Sequence, residues 1–169
     1  MATTSSVVDK LEKIYDEEYR PKQSAIFASV PKESQESSIH HSFRVAHLAR
    51  DDIELDAKIN SACSSGLKFI RYFNEAYQSE QTMGFRSYLN QSGLARLCNV
   101  FVMIFPYEVS KYRRCSNEPF SADISDLYKH ACPSALTTEV WKNILLPEWN
   151  RSVDPFPEAT MKVLINLFE

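Results

Sequence analysis

Glycine is nearly missing from this chain. Gly66, Gly84 and Gly93 are the only three in 169 residues, where average usage of about 7% would supply roughly twelve. Hairpin turns, β-bulges, phosphate loops and dinucleotide folds all draw on glycine for backbone conformations with positive φ. A chain this poor in it is expected to avoid them. Helices need glycine least, so the expectation is an all-α fold, a multi-helix bundle of about six to eight helices. A hydrophobic fraction of 44% beside 24% charged residues gives enough apolar surface for one packed domain.

The hydrophobic spacing supports this. Val7, Val8, Leu11, Ile14 and Tyr15 recur at steps of three and four behind Ser5 and Ser6, either of which can cap a helix. Pro21 is expected to stop that helix, leaving residues 24–30 as an ordered connector and Lys32–Ser38 as a polar linker. Residues 1–38 therefore read as an N-terminal helical arm, separable from a main domain over 39–169, with its apolar stripe available to a neighbouring copy.

A second helix is expected from about Ser38 to Arg50. Asp51 and Asp52 then open the most periodic segment, in which Ile59, Ala62, Cys63, Gly66, Leu67, Ile70, Phe73 and Tyr77 form one stripe. Gly66 in a helix interior costs about 1 kcal/mol relative to alanine, which points to close approach by a neighbouring helix. A short helix near Phe85–Leu89 precedes one from Leu94 to Phe105, capped by Ser92 and ended or bent by Pro106. That helix is apolar on nearly every side, which suits a core or a covered interface. Three further helices fit Ser121–Ala131, Thr138–Leu146 and the stretch after Pro157. The expected core is Ile70, Phe73, Leu97, Phe101, Ile124, Leu127, Trp141 and Leu164.

Catalytic and metal-binding signatures are weak. Ser42–Ala49, after His40 and His41, resembles the opening helix of HD-type phosphohydrolases. The later His-Asp pair which that site needs is missing, since His130 is followed by alanine. His40 and His47 read as surface groups. Cys63, Cys98, Cys115 and Cys132 stand 35, 17 and 17 apart. Structural zinc sites bring ligands in close pairs because one turn then presents both to the ion, so these read as buried thiols with no metal. Glu17–Glu18 and Asp51–Asp52 are adjacent and point to different helix faces. No cofactor and no enzymatic activity are expected. No apolar run of membrane-spanning length and no secretory leader are visible, so the expected setting is cytoplasmic, with no membrane partner.

The charge is segregated along the chain. Residues 58–114 carry eight Lys/Arg against three Asp/Glu, a net +5. Residues 1–57 carry seven against eleven and residues 115–169 four against eight, a net −4 each. The basic side chains Arg71, Arg86, Arg96, Lys111, Arg113 and Arg114 are interleaved with Tyr72, Tyr77, Phe85, Tyr88, Tyr107 and Tyr112. Cations neutralise phosphates and aromatic faces stack on unpaired bases, which is the chemistry of single-stranded nucleic-acid binding. The functional expectation is a self-associating, nucleocapsid- or coat-like protein. Its basic middle would lie on RNA or DNA phosphates, and its acidic ends would pair with neighbouring copies. The alternative is a helical adaptor or regulator that binds a partner protein through the apolar Leu94–Phe105 face.

Overall fold

A computed structural model describes residues 5–31, 38–79 and 84–116. Among these residues the secondary structure is helical, with no strand, and four continuous rods make the bundle. The first rod joins α1 (Ser5–Lys13) through a π-helical stretch, Ile14–Tyr19, to α2 (Arg20–Ala28). The second is α3 (Ser38–Leu48) with a 3₁₀ turn, Ala49–Asp51. The third is α4 (Ile53–Ser79). The fourth joins α5 (Phe85–Tyr88) through a second π-helical stretch, Leu89–Gly93, to α6 (Leu94–Ser116). The three helices expected after Ser116, with Ile124, Leu127, Trp141 and Leu164, lie outside the described residues.

Pro21 does not stop the first helix as the sequence suggested, and Pro106 does not end its own. Pro21 falls in the first turn of α2 and does not end the first helix. The π-helical stretch explains this, because the backbone N–H of Arg20 bonds to the carbonyl of Tyr15, five residues back. That shift of register resets the hydrogen-bond ladder where proline has no donor to offer. Residues 24–28 are consequently helical, not a connector. Pro106 sits inside α6, which runs ten residues past it to Ser116. An interior proline costs about 3 kcal/mol. Met103, Ile104, Phe105 and Tyr107 around it are all buried, and burying a side chain of this size contributes about 1.5–3 kcal/mol. Packing wins. Ser92 likewise lies within the second π-helical stretch, so α5 and α6 are one rod.

Other features follow the sequence closely. The N–H of Leu55 donates to Asp52 Oδ1 at 3.1 Å, an N-cap that starts α4. Ile59, Ala62, Cys63, Gly66, Ile70 and Phe73 are buried on α4, with Leu67 and Tyr77 half-buried. A Cβ on Gly66 would lie 2.7 Å from Ile104 Cδ1 and 3.0 Å from Val100 Cγ1, so the missing side chain lets α4 and α6 close up. Gly84 holds φ at +82°, the left-handed turn that opens the fourth rod. Leu97, Val100, Phe101, Ile104 and Phe105 are buried, so the apolar Leu94–Phe105 helix is core.

The contacts fix direction. Tyr107 of α6 places its hydroxyl 2.9 Å from Asp56 Oδ1 and 2.6 Å from Asn60 Oδ1 of α4. With Gly66 against Val100 and Ile104, this makes α4 and α6 antiparallel. The first rod also runs antiparallel to α4: Lys10 sits over Tyr72, Tyr15 meets Phe69, and Lys22 donates to Ser65 Oγ at 2.8 Å. Leu11, Ile14, Tyr15, Tyr19 and Ile26 are buried. The segment read as an arm thus contributes its stripe to the same core as α4 and α6. On α3, His41 is buried with its ring edge-on to Phe27, 4.8 Å between centroids.

Candidate nucleic-acid interface

The basic middle of the chain divides into three groups once folded. Arg71 on α4 and Arg86 on α5 are exposed, and no carboxylate among the described residues lies within ion-pair distance of either. Lys111, Arg113 and Arg114 lie on the last turns of α6, and their side chains are outside the described set. Arg96 is neither exposed nor unpaired.

Arg96 is held from three sides by the first rod. Its Nη2 lies 2.8 Å from Glu12 Oε2 and its Nη1 donates to Asp16 Oδ1 at 2.9 Å. The guanidinium also stacks over the ring of Tyr15, 4.5 Å from the centroid. Its side chain is 22% exposed, against 31% for Glu12 and 36% for Asp16. Burial works against the Arg96 charge, but the hydrogen bond to Asp16 and the charges of Glu12 and Asp16 outweigh it and raise its pKa. Glu12 behaves in the opposite sense. Burial pushes its carboxyl above the ordinary 4.5, Arg96 pulls it down, and the neighbouring charge of Asp16 pushes it up again. One guanidinium serves two carboxylates, which secures the cation better than either anion.

Lys68 is also engaged, with Nζ 3.1 Å from Glu18 Oε1. The acidic first rod and the basic middle therefore neutralise each other within one chain. That intrachain pairing accounts for part of the charge separation along the sequence. The acidic N-terminal segment spends Glu12, Asp16 and Glu18 on its own bundle.

The aromatic side chains are likewise engaged. Phe85, Tyr88 and Tyr107 are buried, and Tyr72 and Tyr77 are half-buried, with Lys10 lying 4.1 Å over the Tyr72 ring. Tyr112 has its side chain outside the described set. Phe73 and Phe85 pack edge to face at 5.2 Å, so these rings serve the core. Helical spacing of aromatics indicated packing, not a platform for bases.

The cationic groups are also far apart. From Arg96 to Arg113 is about 25 Å along α6 at 1.5 Å per residue. Because α4 and α6 are antiparallel, the turns of α6 that carry Lys111–Arg114 lie toward the end where α4 begins. Arg71 and Arg86 lie toward the other end.

The cluster that sequence reading missed is Glu12–Asp16–Arg96. Glu12 and Asp16 share a helix face, but nothing marks an arginine 80 residues later as their partner. Tyr88 sits beside this cluster, its hydroxyl buried with no hydrogen-bond partner among the described residues. Burial, then the charge of Glu12, pushes its pKa well above the usual tyrosine value.

Among the described residues no three His, Cys, Asp or Glu side chains come close enough to hold a metal ion. Cys63 is buried and Cys98 half-buried, both as thiols. His47 is exposed, while His40 has its side chain outside the described set. Cys115 has its side chain outside that set too, and His130 and Cys132 lie beyond the described residues. No described helix is long and apolar enough to cross a membrane. No protein-family model, curated protein or solved structure matches the chain.

Proposed function

We propose that this protein is a self-associating helical nucleic-acid-binding protein of the nucleocapsid or coat-like kind, which grips phosphate charge through Arg71, Arg86 and the Lys111–Arg114 turns. The observation that carries the reading is the exposure of Arg71 and Arg86 with no carboxylate in reach among the described residues, while Lys58, Lys68 and Arg96 of the same basic segment all have one. Charge left over after the fold has paired its own is charge available to a polyanion. Arg96 is excluded from the contact set, since its guanidinium is occupied. With the aromatic rings turned inward, binding runs through phosphates and carries little base preference. Counted with the three helices expected beyond Ser116, the bundle has seven rods. The acidic segment after residue 115 supplies the charge for contacts between copies.

The test is fluorescence anisotropy with a labelled single-stranded oligonucleotide at low salt. Wild type is expected to bind, and Arg71→Ala and Arg86→Ala each to flatten the log–log salt slope by about 0.7, the contribution of one phosphate contact on a single strand. Lys111, Arg113 and Arg114 changed together to alanine should flatten it further. A wild-type chain that shows no binding at tens of micromolar overturns the proposal.

The adaptor reading keeps one specific observation in its favour. Ile53 is 90% exposed and Leu48 45% exposed, both where α3 passes into α4. The Leu94–Phe105 face is core, so an apolar partner site would sit at that corner instead. Its signature is association that barely responds to salt and is lost in Ile53→Ser.

A further inference from the structure

The cations offered to phosphate stand at two ends of the bundle. Tyr72 of α4 lies under the Lys10 ammonium at 4.1 Å, and Phe73 meets Phe85 at 5.2 Å between ring centroids. Lys10, Arg71 and Arg86 therefore share one end. All three are exposed, with no carboxylate within ion-pair distance among the described residues. The Tyr107 hydroxyl, against Asp56 and Asn60, sets the level of α6 at the other end, and the turns that carry Lys111, Arg113 and Arg114 run on past it.

Between these ends the described cations are engaged. Lys58 faces Glu54 at 4.0 Å, Lys68 faces Glu18 at 3.1 Å, Arg20 faces Asp16 at 3.9 Å, and Arg96 lies between Glu12 and Asp16. Lys22 donates to Ser65 Oγ and Arg44 to the Pro31 carbonyl. Lys13 stands one helical turn from both Asp9 and Glu17. The other exposed side chains of α4 over this stretch, Ala57, Asn60, Ser61 and Ser64, carry no charge. Each end is weak by itself. Asp9 and Glu75 stand exposed at the level of the first, and the opening turn of α4 brings Glu54 and Asp56 to the level of the second.

From the Asp56–Asn60 turn to Arg71 is about 20 Å along α4, and from Tyr107 to Arg113 is about 9 Å the opposite way along α6. The two ends thus stand roughly 30 Å apart. We propose that one single strand bridges both ends and passes over the middle of the bundle without phosphate contact, so that binding is bivalent. This rests on the reading of the protein as a nucleic-acid binder. A strand stacked at about 3.4 Å per nucleotide needs about nine nucleotides to cover the distance. Two weak contacts joined by a strand that reaches both bind far more tightly than either alone, because the second forms at a high effective concentration. A strand too short to reach both gains nothing from the second end.

Fluorescence anisotropy of the full chain at low salt decides this with two probes of equal charge and composition. In the divided probe, two trinucleotides flank a neutral polyethylene glycol spacer that reaches about 30 Å. In the joined probe, a continuous hexanucleotide carries the same spacer at its end. The divided probe should bind at least about tenfold more tightly, since a stacked hexanucleotide covers only about 20 Å. Arg71→Ala combined with Arg86→Ala should remove that advantage while the helical circular dichroism signal stays as in wild type. A joined probe that binds as tightly as the divided one overturns the bridge, as does an advantage that survives the double variant. Failure of both probes beside a long natural strand that binds overturns it too. A wild-type chain that binds no strand of any length overturns the nucleic-acid reading itself, so the two failures are distinct.

Discussion

Helix α6 presents two unlike faces to the rest of the bundle. Toward α4 it is apolar and close, with Val100 and Ile104 seated where Gly66 has no side chain. Toward the first rod it is ionic, with Arg96 between Glu12 and Asp16, and Asn99 taking the Tyr19 hydroxyl on its carbonyl at 2.9 Å. The apolar face gains from area removed from water, while the ionic face exchanges hydration for charge pairing and gains less per contact. The first makes the fold stable. The second decides which cations remain for anything outside the chain, so basic composition alone overstates the charge on offer.

The largest expected effect tests the apolar face. Ile104→Ala should cost about 2–5 kcal/mol in urea unfolding, since Ile104 is fully buried and the bundle can only partly collapse on the gap. Gly66→Ala alone should cost about 1–3 kcal/mol from overpacking against Ile104, offset by up to about 1 kcal/mol of helix propensity. Combined, the added methyl enters the space that Ile104 vacates, so the double variant should be clearly better than the sum of the singles. Strict additivity would mean that α4 and α6 do not meet at Gly66.

The apolar face was legible in the sequence. The α4 stripe, the Asp52 cap and the close approach at Gly66 all follow from local spacing, because each is a property of one helix. Phe69 escaped that stripe because α4 is covered from a second side by the first rod, where Tyr15 meets it at 5.8 Å between ring centroids. Pro21 was expected to stop a helix and Pro106 to end or bend one, and both lie inside continuous rods for a similar reason. Local rules give the cost of a proline but not the packing or the π-helical register that offsets it. The ionic face was illegible altogether. Arg96 stood in the sequence as one more cation among six, and its partners lie 80 residues and more upstream in a segment that spacing set apart as an arm.

The ionic face is tested by Arg96→Ala, expected to cost about 1–3 kcal/mol. The change leaves Glu12 and Asp16 facing each other half-buried with no guanidinium between them, and it uncovers the Tyr15 ring. Partial exposure keeps the figure below the value for fully buried pairs. A loss under about 0.5 kcal/mol would reduce the cluster to ordinary surface bridges and dissolve the contrast between the two faces.

Tyr88 sharpens the same contrast from the opposite direction. Its hydroxyl is buried beside the cluster without a hydrogen-bond partner among the described residues. An unsatisfied buried polar group costs about 1–3 kcal/mol, of which local relaxation recovers part. Tyr88→Phe should therefore leave stability unchanged or raise it by up to about 1 kcal/mol. A clear loss in urea unfolding would show that the hydroxyl is bonded in solution and belongs to the ionic network.

The smallest effect on stability is expected at Arg86, and it is the most informative about function. Arg86 and Arg96 lie in one helical rod, both in the segment that carries the surplus of positive charge. Arg86 is exposed with no carboxylate in reach among the described residues, so Arg86→Ala should move stability by less than about 0.5 kcal/mol. Its effect should fall on oligonucleotide binding alone, as a flatter salt slope with the fold intact. Arg96→Ala should do the converse, shifting the unfolding curve while leaving the salt slope of the folded fraction as it was. Measuring both variants by both methods separates structural charge from available charge. If Arg86→Ala destabilises the chain, the cation has a partner in the fold and the phosphate contact loses one of its two exposed described arginines. If Arg96→Ala flattens the salt slope as much as Arg86→Ala does, phosphate competes with Glu12 and Asp16 for the same guanidinium, and the ionic face is itself part of the binding surface.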